Sequence, residues 1–161
     1  MLYLAWTLRL AAAFVLLAAA AGKLRAGLAT AAALVAEFGI AVLVCLPGTA
    51  LLGCLAATVL FGVFSVGVAW LIAIGAGGSC HCFGTASDLG GRHVIRNVAL
   101  VALAGGAAVV TALAPDGTPP PVALAVATAC AAPVAAAFVR WDDLVILLAG
   151  LPEPASNEKG S

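Results

Sequence analysis

Five apolar runs, over residues 3–22, 26–46, 49–76, 94–114 and 122–139, leave this chain little scope to fold in water. Each is close to, or above, the ~20 residues a helix needs to cross the hydrocarbon of a bilayer. Inside lipid the backbone N–H and C=O groups must be satisfied internally, and in single apolar runs of this length the helix does that. The expected fold is therefore all-α: a polytopic membrane helical bundle of about five transmembrane helices with a four-helix core. Residues 1–151 form a single transmembrane domain in this reading. Residues 152–161 (PEPASNEKGS) form a polar tail expected to be disordered.

Composition supports the same class. Hydrophobic residues make up 65% of the chain and charged residues 9%, against about 45–50% and about 25% in soluble domains. The formal net charge is zero, so no basic patch exists to neutralise phosphates, and nucleic acid is excluded as a partner. The partner implied for the surface is the lipid membrane itself. A signal peptide is the competing reading of the first run, with Ala18 to Gly22 as its small-residue end. Arg9 inside the run and the further hydrophobic spans favour a transmembrane helix, with Tyr3 and Trp6 at the interface. The expected location is a bacterial plasma (inner) membrane, crossed several times.

The breaks between runs are short: Lys23-Leu24-Arg25, Pro47-Gly48, the loop 77–93 and the proline-rich 115–121. Arg140 to Asp143 reads as interfacial, and 144–151 is too short to span. Five spans put the 23–25 turn, the 77–93 loop and the C-terminal end on one face of the membrane. Gly62, Gly67, Gly105 and Gly106 suit close helix approach, or simply reflect a base composition rich in Ala and Gly codons.

The loop carries the chemistry. Cys80-His81-Cys82-Phe83-Gly84 places two thiols one residue apart, with Cα atoms roughly 5.5–7 Å apart, at or just beyond the disulfide window. A ring that small is strained, and strained exposed disulfides are the labile, oxidising ones. Arg92, His93 and Arg96 follow at the start of the fourth run. A helix N-terminus and nearby cations favour thiolate, the reactive form. Three readings stay open on residues alone. The pair is a redox centre, a structural staple, or part of a metal site with His81 and His93. The CxC spacing departs from the usual C-x₂₋₄-C of zinc sites, so no metal is assigned.

The chain resembles the MauE family of DoxX-like membrane proteins, named for methylamine utilisation, over roughly residues 1–110. The residues that carry the resemblance are AGKLR (21–25), Glu37-Phe38-Gly39, the CxCFG signature at Cys80 to Gly84, and Ile95-Arg96-Asn97. The resemblance implies a redox-associated membrane protein that supports disulfide formation or maturation of a partner. Its cofactor would be the redox-active Cys80–Cys82 disulfide. Its partner would be a thioredoxin-like protein or a disulfide-containing client. Quinone as electron acceptor comes by analogy with other four-helix disulfide-forming membrane proteins. In this reading Cys80 and Cys82 are catalytic, with His81, Phe83, Gly84, Arg92, His93, Arg96, Asn97, Lys23 and Arg25 in support. The alternatives are a metal-binding or transport subunit and a non-catalytic assembly factor.

Two further features need a partner. Glu37 lies inside the second run, where a carboxylate is expensive. Counting about 1.5 Å per residue puts Arg9 near 9 Å and Glu37 near 13 Å from the N-terminal face. An intramembrane ion pair between Arg9 and Glu37 is expected. Cys45, Cys54 and Cys130 read as small apolar thiols. Basic residues crowd the Cys-loop face, which the positive-inside rule makes cytoplasmic. Disulfide chemistry instead places that loop outside the cytoplasm, and the extracytoplasmic placement is the expectation adopted.

Overall fold

In a computed structural model, the structure describes residues 1–25, 27, 31–75, 79–80, 87–88, 91–114 and 117–149. The expected polar tail lies outside them. Among the described residues the elements are α1 (Leu2–Arg25), α2 (Ala31–Cys45), α3 (Ala50–Ala73), β1 (Ser79–Cys80), β2 (Ser87–Asp88), α4 (Gly91–Leu113), α5 (Pro121–Val139) and α6 (Trp141–Ala149). Apart from the two-residue strand pair, the fold is helical, as expected.

The helix ends have local causes. Gly27 adopts φ +66° and its N–H bonds Leu24 O at 3.2 Å, a left-handed turn that glycine adopts without the steric cost of a Cβ. Gly48 and Gly75 take the same sign of φ after α2 and α3. Pro121 opens α5, where its missing N–H costs nothing.

Four helices, α1, α3, α4 and α5, are long and apolar enough to cross a membrane. The second expected span is shorter than its apolar run. α2 has 15 residues, about 22 Å of helix against about 30 Å of hydrocarbon. The run is apolar from residue 26, but the Gly27 turn uses its start.

Packing gives the expected four-helix core. α1 packs on α2 and α4, and α3 packs on α2 and α4, closing a ring. α5 lies against the outer side of α1, and α6 touches α5. α1 is thus the hub, and it is the most enclosed of the long helices. Lipid tails are as apolar as leucine, so close backbone packing rather than the hydrophobic effect holds such helices together. α5 shows how: its buried residues are Ala123, Ala127, Ala131 and Ala135, one small-residue stripe at four-residue spacing. Large residues turn outward instead, with Val59, Val63, Val66 and Trp70 of α3 all exposed.

The close-approach glycine is not one of those singled out above. A Cβ added at Gly62, Gly67 or Gly106 meets nothing within 4 Å, and at Gly105 only Thr58 Cγ2 at 3.9 Å. At Gly53 it would stand 2.5 Å from the backbone nitrogen of Val44. The backbones of α2 and α3 touch there because both elements flank the short Pro47-Gly48 turn.

Candidate functional site at the cysteine-loop end

Between α3 and α4 the described residues form one antiparallel pair, with Ser79 opposite Asp88 and Cys80 opposite Ser87. The backbone of Cys80 therefore sits on a ladder just ahead of α4. His81, Cys82, Phe83 and Gly84 lie outside the described residues, so the Cys80–Cys82 pairing does too.

α4 begins at Gly91, earlier than the apolar run, and takes Arg92 and His93 into its first turn. His93, Arg96 and Asn97 are buried, and Arg92 is about one-third exposed. The cations expected to favour thiolate are already engaged. Arg92 Nε lies 3.4 Å from Asp142 Oδ1, and Arg96 Nη1 lies 3.7 Å from Asp142 Oδ2. One carboxylate on α6 thus spans two arginines one turn apart on α4. Asp142 escaped the sequence reading because the Arg140 to Asp143 run looks like ordinary interfacial polarity. Its signal is a carboxylate in the first turn of a short helix, where the dipole favours it.

This contact carries a prediction. Asp142→Asn should loosen α6 and speed amide exchange across 141–149 roughly tenfold, with α4 exchange little changed. Unchanged exchange in α6 would mean that the Phe138–Trp141 stack, with rings 6.1 Å apart, holds it alone.

The expected Arg9–Glu37 pair is not formed. Glu37 pairs through Oε1 with Lys23 Nζ, and Lys23 Nζ also lies 5.0 Å from the centre of the Phe64 ring. Arg9 instead donates from Nε to Val44 O at 2.8 Å and stacks over the Trp6 ring at 4.1 Å. The depth count ignored side-chain direction. In a helix the Cα–Cβ bonds lean toward the N-terminus. On α1 that carries Lys23 back into the bundle toward Glu37, and carries Arg9 away from it. Glu37 is nearly inaccessible, with a side-chain exposure of 2% against 15% for Lys23. Its second oxygen, Oε2, is buried with no hydrogen-bond partner among the described residues. Arg25 is exposed at the end of α1. Lys23, Arg25, Arg92 and Arg96 thus stand near the same end of the bundle as Cys80, but Lys23 is committed to Glu37.

The other thiols separate by environment. Cys54 is buried, Cys45 half-buried and Cys130 exposed, and all three are free. Cys45 and Cys54 both lie within electrostatic reach of Arg9, at the end opposite the loop.

The model of the methylamine utilisation protein MauE family matches residues 26–113, just over half of the chain. The chain belongs to the MauE family. The match spans α2, α3, the strand pair and α4, so it includes Glu37, the CxCFG run and Arg92 to Asn97. It excludes α1, with AGKLR, and also α5 and α6. In this MauE protein, the partners of Glu37 and of the two arginines, Lys23 and Asp142, therefore come from outside the matched stretch. No curated protein and no solved structure gives a match.

Proposed function

We propose that this MauE-family membrane protein is a thiol–disulfide redox protein that uses Cys80 and Cys82 to support disulfide formation or maturation of a partner. The observation that carries the reading is the CxCFG run within the family-matched stretch; its first residue, Cys80, pairs through its backbone with Ser87 ahead of α4. A thiolate of the client attacks one sulfur of the Cys80–Cys82 disulfide and forms a mixed disulfide. The client's second thiolate then displaces the Cys residue. The client is oxidised by two electrons, and Cys80 and Cys82 are left as two thiols. A thioredoxin-like protein is the exchange partner this chemistry suits. A lipid-soluble quinone at the bilayer surface is the oxidant proposed to restore the disulfide, taking two electrons and two protons as it becomes quinol. Arg92 and Arg96, at the N-terminal end of α4 that follows the loop, favour the thiolate form.

A membrane-impermeant maleimide applied to intact cells, before and after mild reduction, tests this. Labelling that appears only after reduction and is lost in C80S/C82S is the expected result. It would place an oxidised pair outside the cytoplasm. A pair shielded until lysis, which then labels without reduction, would sink the disulfide-forming role.

A further inference from the structure

A cavity of about 670 Å³ opens at the end of the bundle opposite the cysteine loop, and Arg9 and Thr111 line it. Arg9 is 94% buried, from its 6% relative exposure. It lies about 10 Å along α1 from Leu2, roughly 7 Å inside the edge of a ~30 Å hydrocarbon layer, and its side chain leans toward the helix N-terminus and the headgroups. Its one hydrogen bond among the described residues, Nε to Val44 O, satisfies one of the last carbonyls of α2. Its Nη2 is buried with no acceptor among the described residues; the Thr111 hydroxyl is also buried, with the Cys54 thiol as its polar neighbour. An unpartnered buried guanidinium nitrogen and a hydroxyl with only a thiol beside it thus belong to residues lining one cavity. Leaving a buried donor unmet costs on the order of 1–3 kcal/mol, and more for a charged group.

The charge pattern selects the ligand. Arg9 is the one Lys or Arg in residues 1–9, 44–52 and 109–121, the stretches that build this end. Glu37, which might have neutralised it, is paired with Lys23. A guanidinium with a free edge accepts an oxyanion in a fork of two N–H donors. Leu2, Ala5, Leu51 and Ala112 supply the apolar part of the wall. We propose that this cavity binds the oxyanion of a phosphate-bearing amphiphile, with Arg9 donating to the phosphate, Thr111 donating its hydroxyl, and the apolar wall taking the glycerol and upper chains.

The test uses the full chain in detergent, with dihexanoyl phosphatidylglycerol, dihexanoyl glycerol and inorganic phosphate as probes. Phosphatidylglycerol should raise Tm saturably, and the uncharged dihexanoyl glycerol should not. Inorganic phosphate producing the same rise would identify a soluble oxyanion as the source, with the site intact. Arg9→Gln should weaken the apparent Kd at least roughly tenfold. Because Arg9 also caps α2, Thr111→Val serves as the second variant. It keeps the shape, removes the hydroxyl, and should weaken the apparent Kd several-fold, read from the phosphatidylglycerol-induced rise in Tm above the variant's own apo Tm. Asp116, the one acidic residue of these stretches, lies outside the described residues, and D116N should retain the effect. An effect of phosphatidylglycerol matched by dihexanoyl glycerol, retained in R9Q and T111V, or seen only in D116N would overturn the proposal.

Discussion

Replacing Lys23 with methionine is expected to destabilise the bundle by about 3–5 kcal/mol, the largest single effect we foresee. The substitution keeps most of the side-chain volume but strands the Glu37 carboxylate, whose side chain is 2% exposed. Its second oxygen already lacks a partner among the described residues, so none of them takes up the charge. The double variant K23M/E37Q removes both charges, and should recover at least half of the loss, since exchanging a whole buried pair for neutral groups is often close to neutral. Denaturant titration in mixed micelles of wild type, both single variants and the double variant closes the cycle. A loss below about 0.5 kcal/mol for K23M, the range of an exposed pair, would mean that the two groups are solvated in the membrane protein.

The second large effect is at Gly53. Gly53→Ala puts a Cβ 2.5 Å from the Val44 nitrogen, a separation real Cβ atoms do not tolerate. Backbone, not a flexible side-chain end, is what must yield. Overpacking of that kind costs typically 1–3 kcal/mol, with about 2–3 expected here because two helix backbones must part. Gly62→Ala is the control, since a Cβ there meets nothing within 4 Å, and alanine is the better helix former by about 1 kcal/mol. Thermal unfolding should therefore separate the two alanines by at least the Gly53 cost. Equal Tm values would show that α2 can slide on α3.

The contrast explains what could be read from sequence. The five long apolar runs, a four-helix core with a fifth helix alongside, and the turn at Pro47-Gly48 follow from apolar run length and from breakers. Those are one-dimensional signals. The first turn does not follow, since residues 23–25, read as the break, complete α1 and the turn falls at Gly27. Which glycine lies at a backbone contact is not one-dimensional, because Gly53, Gly62 and Gly67 sit on the same helix and only rotation and crossing angle distinguish them. The same holds for the ion pair. Axial depth alone favoured Arg9 for Glu37. The lean of α1 side chains toward its N-terminus reversed the choice to Lys23, and that lean is a general rule that could have been applied beforehand. Asp142 was out of reach, since its contact with Arg92 and Arg96 joins the N-terminal ends of two helices separated in sequence by α5, and depends on how α6 folds back. The redox site was legible only as the CxCFG motif, and His81 to Gly84 lie outside the described residues.

The Lys23–Glu37 contact also bears on how this protein enters the membrane. α2 is short and carries a carboxylate, so on its own it is a poor candidate for partition into lipid. α1 emerges from the ribosome first and brings the neutralising amine at its trailing end. The unit that enters the bilayer is then the α1–α2 hairpin, with its charges already cancelled. A chain that begins after α1 would retain nearly all of the family-matched stretch and still leave α2 without its counter-ion at the moment of insertion.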